Sequence, residues 1–412
     1  MSEDAGNRFD IVIAGAGYSG LSLALAVSRV FNDDIRIGVV GRQPSQQDSA
    51  ESARAFALSA SSKNLLDVLG LWQGVAGNAQ PVREIALTDS PLEAGVRPIL
   101  LTYSNLLADG QPASHILPAE VLTNALQQRV EQSKAVTFIA DDFEGFSTSD
   151  SHAAIALASG ASVATTLLVA TDGSHSRLRK LAGLQTVGWH HGQIGIVTWV
   201  DHEKPHNGRA MQHFLPAGPF AILPLVGDRS CITWSEEETS AKRILALSNE
   251  EFLAEVDLRF GGRLGEIRLG GPRQSFPLAT SIARSYIGKR FALLGDSAHR
   301  VHPIAGQGLN LAFRDVAALA ECLIDAARVG VDTGSAPILE RYERWRRFDS
   351  VLSAATFDGL NTLFSKEHPL LRAAREVGLG LVDRLPQVKE LLVSEAAGLT
   401  GETPKLLLGE LP

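Results

Sequence analysis

"FDIVIAGAGYSGLSLALAVSRVF", residues 9–31, is the stretch on which the fold turns. Residues 9–14 form an apolar run of strand length, and Leu21, Leu25 and Val30 line one side of a helix that follows. Between them stands Gly15-Ala16-Gly17-Tyr18-Ser19-Gly20, and "IRIGVV" at residues 35–40 supplies a second apolar strand. Strand, helix and strand within some thirty residues make a βαβ unit, which crosses over right-handed and buries its strands beneath helices. A doubly wound α/β domain therefore begins the chain.

Further on, residues 119–130 have helical spacing, while residues 135–140, 153–157 and 166–170 read as short strands, the last running into "TDGSHSRLRK". From residue 188 to about 276 the texture changes. Stretches such as "IGIVTWV", "FAILPLV" and "SCITWSE" alternate β-branched and aromatic residues between Gly and Pro turns, which predicts an antiparallel sheet. A strand at 291–294 and a helix after Gly308 restore the α/β texture, so a β-rich insertion splits the first domain. From Thr356 the tail reads as helical, with Leu370, Leu371, Ala374, Val377 and Leu381 forming an apolar stripe suited to core or dimer packing more than to a membrane face.

Composition narrows the function classes. The 412 residues are 45% hydrophobic and 20% charged, as in a globular chain with a sizeable core. A net charge of −8, with basic residues scattered apart from small groups such as Arg344, Arg346 and Arg347, speaks against a nucleic-acid surface. Two cysteines, Cys231 and Cys322, make no disulfide framework and have no metal-ligand spacing, in keeping with a reducing cytosol. The opening "MSEDAGNRFD" lacks the basic and apolar regions of a secretory signal, and no apolar run approaches the roughly 18 to 20 residues of a membrane span. Membrane contact is thus expected to be peripheral.

The glycine turn carries the first chemistry. In a GxGxxG element between strand and helix, Gly15 permits the tight turn, Gly17 lets a pyrophosphate approach the backbone and Gly20 lets helix and strand pack closely. The helix N-terminus then offers free N–H groups and a positive dipole end to the phosphates. An acid that holds the adenosine ribose is usual about 20 residues further on. Here the sequence is "VVGRQ", with Gly41 in that place, leaving Asp48, Glu51, the backbone or a loosely held ribose as alternatives. A second constellation is "LLGDSAHRVHPIAGQGLNLAFRD", residues 293–315. Asp296 at a strand end can accept hydrogen bonds from an extended polyol such as the ribityl chain of FAD. Gly306-Gln307-Gly308 leaves bare backbone before a helix, where N–H groups and a dipole can face the negative charge of a reduced flavin ring. A metal pair of His299 and His302 is disfavoured, because Pro303 interrupts a helix and no ligand cluster completes a site. His190 and His191 support no assignment alone.

Taken in order, Gly15 to Gly20, "ATDGSHSRLRK" and "GDSAHRVHPIAGQGLNLAFRD" resemble the FAD-dependent aromatic hydroxylases of the para-hydroxybenzoate hydroxylase fold. The form "HPIAGQGLNLAFRDVAALAE" is most similar to the ubiquinone-biosynthesis ring hydroxylases, and "ARAFALSASSKNLLDVLGLW" and "AMQHFLPAGPFAILPL" extend the likeness over nearly the whole chain. The resemblance implies an α/β fold with a doubly wound FAD-binding domain in three parts (residues 1–75, 113–182 and 278–355). It also implies substrate-domain strands at 76–112, an inserted antiparallel β-rich substrate domain at 183–277 and a C-terminal helical region at 356–412.

Position by position, it makes Gly15, Gly17, Gly20, Arg54, Asp172, Gly173, Gly295, Asp296, Gln307, Gly308 and Asn310 cofactor-binding, with Ser176 and Arg179 completing the Asp-Gly element. Pro303 and Gly306 become positioning residues beside the isoalloxazine; no side chain is nominated as a base, and no metal is expected. The implied activity is hydroxylation of a polyprenylated phenol by O2 through a flavin C4a-hydroperoxide, with NAD(P)H as electron donor and no second nucleotide domain. The alternatives are a soluble hydroxylase of a small phenol in aromatic catabolism, or a weakly active scaffold in a quinone-synthesis complex. The implied setting is cytoplasmic, with peripheral contact at the inner membrane face, as a homodimer or among other quinone-biosynthesis proteins.

Overall fold

A computed structural model describes residues 8–31, 34–42, 52–89, 92, 98–215, 217–303, 306–365 and 393–412. At its centre the strand Arg8–Ala14 pairs in parallel with Ser162–Ala170 on one side and Ile37–Val40 on the other. Val136–Ile139 and Phe291–Leu293 extend the parallel sheet outward. Ile11, Val12 and Ile13 are at most 1% exposed, which is why this strand reads as continuously apolar instead of alternating. The helix Tyr18–Phe31 is buried from Gly20 through Ser28 because it lies against the helices Ala119–Glu131 and Gly308–Arg328 as well as the sheet. Chain order reverses direction across the sheet at Arg8–Ala14, and a ligand site is expected outside the carboxyl end of the strand at such a switch point.

The second sheet has nine strands and is built on Thr186–His202, which pairs with Arg229–Glu237 and Gln274–Ala283. It departs from the expected all-antiparallel sheet at one junction, where Arg209–Leu215 runs parallel to Glu84–Asp89, with Met211 opposite Ala86. The reason is connectivity, since these two strands are joined through a long stretch of the first domain and no hairpin constrains their direction. Two helices absent from the sequence reading, Glu238–Leu245 and Asn249–Phe260, follow Arg229–Glu237. Ile244, Phe252 and Phe260 from these helices pack with Phe220 and Trp234 from the sheet, covering one of its faces. The other face is left for a cavity. A three-stranded sheet of Ala55–Ser59, Ser114–Pro118 and Gln80–Val82 stands beside it.

The helical tail expected from Thr356 starts much earlier, as one helix Ala336–Ser365 that passes unbroken through position 356. Good helix formers and an i,i+4 pair of Glu340 with Arg344 sustain it, and Gly359 alone does not interrupt it. The stripe from Leu370 to Leu381 lies outside the described residues. Among the described residues, no helix is long and apolar enough to cross a membrane.

Two phenylalanines test where the core sits. Phe313 is fully buried on Gly308–Arg328, and Phe348 on the long helix is 74% exposed. Urea unfolding should show Phe313→Ala losing about 3–5 kcal/mol. Phe348→Ala should stay within about 0.5 kcal/mol of wild type.

Candidate active site

At the carboxyl end of the central strand the glycine turn has no slack. Gly15 has φ +125, and a Cβ there would stand 2.4 Å from the carbonyl oxygen of Thr171, while one on Gly20 would stand 2.1 Å from the oxygen of Gly15. The Thr171 hydroxyl closes the turn by donating to Gly15 O at 2.8 Å. Gly17 differs, because a Cβ there would meet nothing within 4 Å. It opens onto two adjoining cavities of about 370 Å³ and 770 Å³ that share Gly17, Tyr18, Arg54 and Phe276. Gly41 also has a packing reason. Its N–H donates to Ile139 O, and a side chain on it would begin 3.2 Å from the Ala16 nitrogen, pressed against the glycine turn. Asp48 and Glu51 lie outside the described residues. Arg54 is exposed where the two cavities meet, with its guanidinium 4.9 Å from the Phe276 ring centre.

Asp172 and Gly173 follow the strand Ser162–Ala170. One carboxylate oxygen of Asp172 accepts from the Arg177 and Leu178 N–H groups at 2.7 and 3.2 Å, capping the helix Arg177–Leu181; the other is buried with no partner among the described residues. Gly173, at φ +85, lines the larger cavity. Ser176 caps the same helix by accepting from Arg179 N–H, and the Arg179 guanidinium donates to Ser297 O at 2.6 Å and Ser174 O at 2.9 Å. Arg179 thus ties this turn to the one at Gly295.

Gly295 has φ +64, and a Cβ on it would lie 2.7 Å from Ser19 Oγ. Its N–H donates to Asp315 Oδ2 at 3.0 Å, and the same oxygen lies 2.5 Å from His299 Nε2. Arg346 Nε donates to the other Asp315 oxygen at 2.7 Å and Arg346 also pairs with Asp349, which Arg314 reaches in turn. Desolvation pushes the Asp315 carboxyl up, but His299 and Arg346 outweigh it and hold it below its ordinary value. Asp296, next in sequence, faces the larger cavity and is open to it, although protein surrounds it deeply. That surrounding raises its carboxyl pKa, with His299, Arg300 and Arg54 pulling the other way.

The turn Pro303 to Gly308 completes the site. Gly306 donates its N–H to Pro303 O at 2.9 Å and has φ +62, with Ala57 Cβ 3.2 Å from where its own Cβ would be. A Cβ on Gly308 would meet nothing within 4 Å, so the N-terminus of the 21-residue helix Gly308–Arg328 opens onto the cavity. Gln307 also lines it, with its Oε1 accepting from Asn310. Asn310 has a different place from the one its motif implies. Its oxygen accepts from Ser59 N–H and Ser62 Oγ, its amide donates to Ala57 O and Gln307 Oε1, and the residue is 2% exposed. Its side chain anchors the helix to the strand Ala55–Ser59 and has no capacity left for a ligand. His299 and His302 point to different partners, Asp315 and Gln193, and among the described residues no cluster suits a metal.

The pieces fit one elongated ligand. A bare N-terminal turn at Gly17 suits a pyrophosphate, the open carboxylate of Asp296 suits polyol hydroxyls, and the unobstructed backbone at Gly308 suits the edge of a ring that carries negative charge when reduced. Gly15, Gly17, Gly20 and Arg54 would hold the dinucleotide end, with Gly173, Gly295, Asp296, Gln307 and Gly308 along its length. Asp172 lines neither cavity and its orphaned oxygen is enclosed by protein, so its visible part is to cap Arg177–Leu181 beside Gly173. Fold and site together define a flavoprotein with its catalytic chamber between a doubly wound domain and a mixed sheet.

Comparison with known proteins agrees. The FAD-binding domain family matches residues 8–350. Ubiquinone hydroxylase UbiL of Rhodospirillum rubrum is 38% identical over 415 residues, spanning 97% of this chain and 92% of that protein. The 3-demethoxyubiquinol 3-hydroxylase of Escherichia coli is 29% identical over 392 residues, spanning 95% and 98%. In fold, p-nitrophenol 4-monooxygenase PnpA from Pseudomonas putida superposes with a TM-score of 0.79 at 20% identity, covering 96% of this chain and 99% of that one. The chain belongs to the FAD-binding domain family, and it is an FAD-dependent monooxygenase.

Two substitutions test the site through opposite signs. Because Asp296 has a raised folded pKa, its contribution to stability is fully present below the ordinary carboxylate range and is lost as pH rises through the folded value. Asp296→Asn should therefore raise the melting temperature of the FAD-free protein at pH 7, with the gain vanishing below about pH 4. Its FAD affinity, read by flavin fluorescence quenching, should fall roughly ten- to a hundredfold. Asp315 has a lowered folded pKa, so its stabilisation is present above the ordinary value of 3.8 and is lost as pH falls through the folded one. Asp315→Ala should cost about 3–5 kcal/mol at pH 7 in urea unfolding. The gap to wild type should narrow below about pH 4.

Proposed function

We propose that the protein inserts one atom of O2 into the aromatic ring of a polyprenylated phenol on the route to ubiquinone, with FAD as cofactor and NAD(P)H as electron donor. The observation that carries this reading is the cavity of about 770 Å³, whose walls are largely apolar and which meets the flavin-type loop at Pro303, Gly306 and Gly308. When bound there, FAD supplies electron transfer from the nicotinamide and activation of O2. The protein's own part is to hold and enclose. Pro303 and Gly306 shape the loop beside the reacting ring, the helix N-terminus at Gly308 stabilises negative charge, and Ile85, Leu87 and Leu223 keep water out of the chamber. Small side chains at Ala210 and Ala221 leave room above the sheet for a ring with an apolar substituent.

A prenylated substrate resides in lipid, so the same reading places the protein in the cytoplasm with peripheral contact at the inner membrane face, alone, as a homodimer or with other quinone-biosynthesis proteins. Exposed Phe348, Val351 and Leu352 on the long helix suit such contact. The names of the relatives favour a quinone precursor over a small catabolic phenol. Deleting the gene and extracting lipids tests the substrate. A prenylated ring lacking one hydroxyl should accumulate as the quinone pool falls, and an unchanged pool in the deletion strain would contradict the proposal.

A further inference from the structure

The floor of the large cavity is the sheet face that turns away from the helices Glu238–Leu245 and Asn249–Phe260. One register line across it runs Leu87, Gln212, Ala221, Thr233 and Val197, each opposite the next on the neighbouring strand, and all five line the cavity. A second line, two residues away, runs Tyr103, Ile85 and Ala210. Side chains two apart on a strand share a face, so both lines look into the same space.

Most of this floor is apolar, and apolar contact has no direction. It would hold a ring without choosing which ring carbon faces the flavin loop. The polar groups therefore decide orientation. Asn105 spends its amide N–H groups on Val82 O and Ser114 Oγ, and the Thr233 hydroxyl lies against the Cys231 thiol. Gln212 and Tyr103 have no hydrogen-bond partner among the described residues, and both line the cavity. Burial pushes the Tyr103 hydroxyl up to about 12, so it is a neutral donor at physiological pH. They stand two strands and two residues apart, roughly 12 Å between Cα atoms, with Ile85 and Leu87 of the strand between them forming the apolar floor over which a ring would lie. Two long polar side chains reaching inward from that separation can bracket one substituted ring.

We propose that Gln212 and Tyr103 form the polar clamp of the substrate subsite, hydrogen-bonding the oxygen substituents of the aromatic ring and so selecting the carbon presented at Pro303 and Gly306. This rests on the reading of the substrate as a prenylated phenol. A ligand of the same shape without oxygen leaves both groups dry and unpaired, so the subsite discriminates against it.

The test is a titration of the FAD-loaded protein with 2-methoxy-6-prenylphenol and with prenylbenzene, the same skeleton lacking both oxygens, followed by perturbation of the flavin absorbance. Wild type should bind the phenol about tenfold or more tighter. Gln212→Leu and Tyr103→Phe should each reduce that preference by about three- to tenfold, and the double variant should abolish it. Prenylbenzene binding and FAD affinity should remain at wild-type values, which separates loss of the clamp from general damage to the fold. A wild type that prefers the phenol, with variants that keep the whole preference, overturns the clamp alone. A wild type that binds neither compound overturns the prenylated-phenol reading and the clamp with it.

Discussion

Asp315 is a fully buried carboxylate on which three separate pieces of backbone converge. It receives the N–H of Gly295 from the turn that presents Asp296, the ring of His299 from the segment after it, and the guanidinium of Arg346 from the long helix. Asp315 itself belongs to Gly308–Arg328, whose N-terminus opens onto the cavity. A buried charge is tolerated only when its partners are held in place, and removing one partner leaves the others exposed to a low-dielectric interior. The strand-end turn and two helices are therefore fixed relative to one another. The positions of Asp296 and Gly308, two contacts expected of the cofactor, follow from that one cluster.

The cradle is held at a cost to the empty protein. Asp296 keeps a carboxyl whose charge the surroundings disfavour. Asp172 spends one oxygen on capping a short helix and leaves the other buried without a partner. The Asp296 charge is unfavourable until a ligand supplies hydrogen bonds to it, and binding of that ligand then stabilises the folded state by mass action.

The parallel core and the glycine turn were legible in the sequence because each is a local demand of the backbone. A continuous apolar run marks a strand covered on both faces, and Gly15 and Gly20 stand where any Cβ would strike a carbonyl oxygen. What could not be read was whatever depends on the return of distant chain. Asn310 belongs to the flavin-loop motif, yet its side chain is spent on Ala57, Ser59 and Ser62 from a strand and helix far earlier in the chain. The absence of an acid at Gly41 has a packing account only once Ala16 is seen against it. Asp315 and Arg346 could be read as a helix residue and part of a basic cluster, but not as partners. Gln212 and Tyr103 share a site through cross-strand register that includes the parallel junction of the sheet, a pairing that no spacing in the sequence encodes.

A crystal structure of the protein with FAD tests the account most directly. It should place the pyrophosphate on the backbone at Gly17, ribityl hydroxyls within hydrogen-bond distance of the Asp296 carboxylate, and the edge of the isoalloxazine at the N-terminus of Gly308–Arg328, with Asp315 still bonded to Gly295, His299 and Arg346. FAD bound with its polyol chain away from Asp296, or a turn at Gly295 that moves independently of Asp315, would contradict it.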